Sequence, residues 1–179
     1  MITYNMKDSE ILKYPIGKYI PPTIITGEHI QSWIEDLSNL PALIETSTGN
    51  LAEAQLETPY RPDGWTVRQV VHHLADSHVN AYTRFRLAMT EDNPSIRPYK
   101  EELWAQLPDA RDGDIQLSIA ILKAIHQRLV VFLKTLKPED YNRRYFHPEV
   151  QKEFTLGFLL GNYAWHGKHH LAHILSALK

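Results

Sequence analysis

The sequence predicts an all-α fold: a four-helix bundle with an extended N-terminal arm and long connecting loops. Four segments carry apolar residues at helical spacing, strand-like alternation is scant, and prolines gather in the stretches between those segments. With 179 residues, 43% of them hydrophobic and 22% charged, the chain suits one domain with a sizeable core, and 1–179 reads as a single unit.

Residues 1–25 hold Pro15, Gly17, Pro21 and Pro22 and read as an irregular, extended arm. The first helix is expected after Thr26, with Ile30, Ile34, Leu37, Leu40 and Ile44 on one side. Pro41 falls inside that run and should kink or shorten it. Residues 46–64, with Thr48-Gly49-Asn50, Pro59, Pro62 and Asp63-Gly64, read as turn and connection. Thr66 and Gln69 form a capping box for the second helix, with Trp65 placed to staple against Val70, and this helix should run to about Met89.

The connection 91–112 contains Pro94, Pro98 and Pro108, and its length is that of a functional lid or mouth. A third helix is expected from about Asp114 to Leu136, presenting Ile115, Ile119, Leu122, Ile125, Leu129 and Phe132. The polar and aromatic stretch 137–154 suits a short turn or hairpin, and Thr155 is the expected cap of a fourth helix over 156–178. With two long connections, the bundle need not be simple up-down-up-down.

Composition excludes several function classes. A net charge of −2 gives no electrostatic reason to expect nucleic acid or an anionic membrane as partner. The chain has no cysteine, which rules out disulfides, thiolate metal sites and cysteine nucleophiles and fits a cytoplasmic protein. The first 22 residues hold Asp8, Glu10 and several prolines, so neither a signal peptide nor a membrane anchor is expected.

The richest chemistry lies in the fourth helix, where His166, His169, His170 and His173 fall within eight residues on one face. Neutral imidazole is a preferred ligand for zinc and nickel, and two of them four residues apart can grip one ion from one side. A lone histidine at a helix edge is usually satisfied by a neighbouring carbonyl or carboxylate; four together call for another account. With about 100° per residue, Leu156, Leu160, Leu171, Ile174 and Leu178 set the core direction. His166 and His170 are the i, i+4 pair nearest to it, His173 is borderline and His169 should look to solvent. On the second helix the same stepping exposes His72, puts His78 within the apolar arc and leaves His73 at its edge. Periodicity does not choose between His73 and His78 as a third ligand. Gln69, Asp76, Ser77, Asn80 and Arg84 form a polar stripe beside His73, either the wall of a hydrated cleft or a plain solvent face.

The block Tyr60-Arg61-Pro62-Asp63-Gly64-Trp65-Thr66 through Val71-His72-His73-Leu74-Ala75-Asp76-Ser77-His78, followed by Tyr82, Arg84, Phe85 and Thr90-Glu91, resembles the DinB/YfiT-like family. Tyr14-Pro15-Ile16-Gly17, Pro98-Tyr99 with Trp104, Phe146-His147-Pro148 and Trp165-His166 to Ile174 extend the likeness over nearly the whole chain, toward the YfiT branch of bacterial metal-dependent hydrolases. The resemblance implies a four-helix bundle holding one divalent ion, zinc or nickel, through three histidines. Carried onto this sequence, those are His73, His166 and His170.

Three neutral histidines with an open coordination position are the donor set of a catalytic site, where an ion makes water a nucleophile near neutral pH. A metal-dependent hydrolase acting on a small-molecule substrate is the leading expectation. An ion-activated low-molecular-weight thiol, of the bacillithiol type associated with relatives of this branch, would instead make the protein a thiol S-transferase. A third possibility is a non-enzymatic metal-bound stress or partner-binding protein. Asp76 and Asn80 are the candidate catalytic residues on the polar stripe, Asp76 as proton acceptor or orienter of a ligand imidazole. Arg84 is a candidate for a substrate carboxylate, and His126 and His147 are within conceivable reach of the cleft. Trp65, Trp104, Tyr145 and Trp165 read as packing residues, and family analogy points to a homodimer.

Overall fold

The computed structural model describes residues 6–179, with side chains from Glu10 onward; the first five positions of the expected arm lie outside the described residues. The rest of the arm is not extended throughout. Met6–Lys13 forms a helix, α1. The breakers that gave the arm its irregular look begin only at Pro15, and a proline disfavours helix at the residue before it, so it marks where α1 stops. The chain then turns at Gly17, whose φ of +76° lies in the left-handed region that glycine enters without steric cost. The Gly17 carbonyl accepts from Trp165 Nε1 at 3.1 Å, which ties the arm to the C-terminal helix.

Side-chain caps start each long helix. Thr26 and His29 form a reciprocal box at the head of α2 (Gly27–Thr48), which continues through Pro41 to Thr48. After the short α3 (Glu53–Leu56), the expected Thr66–Gln69 box opens α4 (Val67–Thr90). The connection 91–112 is not structureless: it contains α5 (Glu101–Trp104) and α6 (Pro108–Asp112). Asp114 caps α7 (Ile115–Leu133), and Thr155 caps α8 (Leu156–Ala177). Between α7 and α8, a 3-10 turn (Pro138–Asn142) leads into an antiparallel hairpin of β1 (Arg144–His147) and β2 (Lys152–Thr155). Pro94 and Ile96 bond the backbone of Phe146 and pin the connection to the hairpin.

The four long helices form a ring in which α2 and α4 each pack on both α7 and α8. Helices α2 and α4, consecutive among the long helices, therefore sit on a diagonal, as do α7 and α8. This is not the up-down-up-down order, and the connections must cross the bundle ends. By length and hydropathy α7 could span a membrane, but here one face of it closes the bundle core while Leu117 and Val131 point outward.

The core has two apolar halves. One gathers Leu37, Phe85, Leu129 and Leu160; the other gathers Leu40, Val71, Leu74, Leu122 and Ile174. On every helix the changeover between halves falls beside a histidine or a proline: Leu37 and Leu40 precede Pro41, Ala75 and Ala81 flank His78, and Leu122 and Leu129 flank His126. A buried polar layer thus crosses the bundle at mid-height.

Candidate metal centre

Packing of α4 against α8 brings His73, His166 and His170 together. One ring nitrogen from each lies within 4.8 Å of the others, and Nε2 of His73 stands 3.2 Å from Nε2 of His166. Two nitrogens bound at about 2.05 Å to one tetrahedral ion are about 3.3 Å apart, so this edge matches the spacing of two ligands on one metal. His73 and His170 are buried, at 4% and 7% exposure, and His166 is partly exposed at a cavity wall. Burial, reinforced by the neighbouring histidines, holds His73 at about 4 and pushes His166 and His170 well below the ordinary imidazole range. All three rings are therefore neutral at physiological pH and free of the proton that would compete with a metal. The donor set fits a borderline divalent cation.

In a second group, His169, His170 and His173, one ring nitrogen from each also lies within 4.8 Å of the others. Both groups need His170, and a neutral imidazole has one lone pair. His173 is already committed, with Nδ1 at 3.3 Å from His170 Nδ1 and Nε2 at 3.2 Å from the Lys13 carbonyl. The first group is the better ligand set.

Two cavities meet at these histidines. One, of about 520 Å³, is walled by all three rings together with Tyr14, Tyr60, Trp65 and Trp165. The other, of about 480 Å³, reaches His166 past Ser77, Arg84, Tyr99, His147 and Tyr163. Glu101 and Glu102, at the head of α5, line both. A larger groove of about 1110 Å³ runs past Ile30, Ile34, Leu133 and Tyr141 and is lined by no histidine.

Several expectations need correction. His169 does not face solvent: it is 6% exposed, stacked on Trp165 at 4.5 Å and facing Tyr14 at 5.9 Å. The arm folds over the outer side of α8 and covers the direction that a single-helix wheel assigns to water. His72 is likewise buried, at 7%, with Nδ1 at 2.8 Å from Ser118 Oγ under the α6–α7 junction. His173, borderline by periodicity, is 1% exposed and stacked on Tyr60 at 3.9 Å. Trp65 and Trp165 are not mere packing residues, since both line the first cavity and Trp65 stands 4.6 Å from the His73 ring. Trp104 lies against Tyr99, and Tyr145 is core.

Asp76 and Asn80 line neither cavity that reaches the three histidines. Asn80 spends its amide on the Asp76 backbone carbonyl at 2.8 Å. Asp76 is half-buried, its carboxyl pushed up to about 6 by desolvation and by Asp109. Arg84 and His147 do border the second cavity, Arg84 through a 3.2 Å bond to Tyr163 Oη. His126 does not reach a cavity; it is buried at 1% against His78. Glu101 went unnoticed in the sequence, and Tyr99 entered only through the Pro98-Tyr99 likeness; the length of the 91–112 connection was the one hint of a mouth.

The fold is a four-helix bundle with a diagonal first pair, and a three-histidine cluster joins its second and fourth long helices. The chain belongs to the DinB superfamily, whose model matches residues 36–174. The chain is 46% identical over 163 residues to YfiT of Bacillus subtilis, covering 91% of this chain and 92% of that protein. A protein of Bacillus mycoides is 49% identical over 171 residues, covering 96% of each chain, and it and YfiT both bear the name "putative metal-dependent hydrolase". The solved structure of YfiT superposes with a TM-score of 0.91 at 45% identity, over 93% of this chain and 95% of that one. It is described as a probable metal-dependent hydrolase with an unusual four-helix bundle topology.

Proposed function

We propose that this protein is a metal-dependent hydrolase of small molecules, with one divalent ion held by His73, His166 and His170. The observation that carries the reading is the convergence of three neutral imidazole nitrogens from two helices within 4.8 Å, at the meeting of two cavities. Three protein ligands leave a position open, as catalytic rather than structural sites do. When bound, zinc, or nickel with the same ligands, supplies the Lewis acidity that polarises a substrate oxygen and makes water nucleophilic near pH 7.

The chain's own groups supply the remainder. Trp65, Tyr60 and Trp165 line the first cavity and offer aromatic faces to a substrate there. Arg84 holds an acidic substituent in the second cavity. We assign the proton acceptor to a carboxylate oxygen of Glu101 rather than to Asp76, because Glu101 lines both cavities. Its carboxyl is raised above the ordinary range by desolvation and by Glu102 and Glu149, which makes it a more basic acceptor than an ordinary glutamate.

Metal analysis of the purified protein, followed by a panel of amides and esters assayed with and without chelator, tests the proposal. One equivalent of zinc or nickel, with cleavage that disappears on chelation and in His166→Ala, is the expected result. Stoichiometric metal without cleavage of any panel member would overturn the hydrolase reading. Product that forms only when bacillithiol or glutathione is added would replace it with thiol transfer.

A further inference from the structure

Pro41 sits inside α2 and has no N–H to give to the carbonyl one turn earlier, that of Leu37. That carbonyl is taken from across the bundle: His126 Nδ1, on α7, lies 2.6 Å from it. A carbonyl can only accept, so Nδ1 of His126 carries the proton. His126 is 1% exposed in an apolar interior, where a second ring proton would be an unpaired buried charge. Its Nε2 is therefore a bare lone pair, 3.0 Å from Nδ1 of His78. His78 must donate there. Its ring is fully buried and neutral for the same reason, so its Nε2 accepts from Nδ1 of His166 at 3.3 Å. The order propagates and leaves Nε2 of His166 without a proton, facing Nε2 of His73.

A shorter chain does the same for His170. Lys13 is the last residue of α1, and its carbonyl has no partner within that helix. Nε2 of His173 donates to it at 3.2 Å, so Nδ1 of His173 accepts from Nδ1 of His170 at 3.3 Å. Nε2 of His170 is then the free lone pair. Both chains end on a helix carbonyl that lacks its usual N–H, one because of a proline and one because the helix stops.

We propose that His78, His126 and His173 are positioning residues of the metal centre, locking His166 and His170 as Nδ1–H tautomers with Nε2 turned toward the ion. The inference rests on the three-histidine metal site proposed above. It also accounts for the histidine layer between the two apolar halves of the core. Carboxylates in these places would add negative charge and raise ligand basicity. Neutral imidazoles ending on carbonyls orient the ligands and leave the ion its full Lewis acidity.

Long-range ring ¹H–¹⁵N spectra of histidine-labelled protein, metal-free and zinc-loaded, read the tautomers directly. His78, His126, His166 and His170 should all be Nδ1–H, and His173 Nε2–H. An Nε2–H signal from His78 or His126 overturns the proposal, and this measurement needs no variant to fold. Zinc competition with a chromophoric chelator then tests the role. His126→Leu, which removes the acceptor for His78, should weaken zinc binding about 10- to 100-fold. His126→Gln keeps a donor and an acceptor and should stay within a few-fold of the parent. Equal zinc affinity in His126→Leu and the parent overturns the positioning role. If the parent protein takes up no zinc although its tautomers are as stated, the metal reading itself fails, and the role assigned to these residues falls with it.

Discussion

Gly167 on α8 lies so close to Leu40 on α2 that a Cβ at position 167 would stand 2.5 Å from Leu40 Cδ2 and 3.3 Å from its Cγ. Leu40 is 3% exposed and has little room to retreat. Six residues earlier, Gly161 faces the Trp33 ring in the same way, with 2.8 Å left for a Cβ. These two glycines let α2 and α8 approach closely, and that approach holds the histidine-bearing α8 against the bundle.

Gly167→Ala sets helix propensity against packing. Alanine gains about 1 kcal/mol in a helix interior, whereas overpacking a filled core costs about 1–3 kcal/mol. The clash involves the whole Leu40 isobutyl group, so packing should win and the variant should lose about 1 kcal/mol net. Urea unfolding checks this; a stabilised variant would show that Leu40 can move.

Ligand removal should act on stability as well as on metal content. An ion that binds only the folded chain at 100 times its dissociation constant adds about 2.7 kcal/mol. Chelation should therefore lower the melting temperature of the parent protein. The His166→Ala and His170→Ala variants should bind substoichiometric metal and melt at a temperature that chelator does not change. A chelator response in either variant that equals the parent's would contradict the ligand assignment.

The metal-free protein should lose stability as pH falls from about 6.5 toward 4. Burial holds His73, His169 and His173 at about 4 and lowers His78 and His126, against an ordinary 6.5. In that window the unfolded chain binds more protons than the folded one, so stability is full above it and is lost as the pH drops through it. Asp76, pushed up to about 6, and Glu101, also raised, work in the opposite direction. They are two groups against more histidines, and the histidines set the sign. Denaturant midpoints between pH 7.5 and 4.5 should fall with a slope of more than one proton, about 1.4 kcal/mol per pH unit for each.

Arg68, whose side chain is 7% exposed, ties three segments together. It donates from Nε to Glu57 at 2.8 Å and from Nη1 to the Gly113 carbonyl at 2.7 Å, and pairs with Glu53. Arg68→Met strands no buried charge, because the side chains of Glu53 and Glu57 are 82% and 52% exposed and stay hydrated. The expected loss is about 1–3 kcal/mol, the range for lost hydrogen bonds, rather than the larger cost of an orphaned buried ion. Metal stoichiometry should remain that of the parent.

Glu101→Gln keeps the shape of the cavity rim and removes the proposed proton acceptor. Turnover should drop about 100- to 10,000-fold with zinc content unchanged. Undiminished turnover at full metal occupancy would return the role to another group, with Asp76→Asn the next variant to assay.

The helices were legible because their signals are local. Thr26, Thr66, Asp114 and Thr155 cap where hydroxyl or carboxylate oxygens meet free helix N–H groups, and the apolar period of each segment fixes its inner face. Periodicity also singled out His166 and His170 as an i, i+4 pair, and these are the two that meet His73, although His166 is the least buried of the four on α8. Periodicity could not choose between His73 and His78, because both lie close to the core arc and their difference is what α8 and α7 place opposite them. The wheel misjudged His169 and His72 for one reason: it knows a single helix, and these rings are covered by the arm and by the α6–α7 junction.

The sequence by itself determined the four long helices, the family resemblance and the identity of the imidazoles, since caps, period and residue chemistry act over a few positions. Only the tertiary structure decided the diagonal order of the helices, the joining of Glu101 to both cavities and the proton order from Leu37 through His126 and His78 to His166. The proton order depends on contacts between residues 37, 78, 126 and 166, far apart in the chain, where a missing amide on one helix creates an acceptor for another. The sequence shows Pro41 as a break; the packed bundle uses the carbonyl it frees.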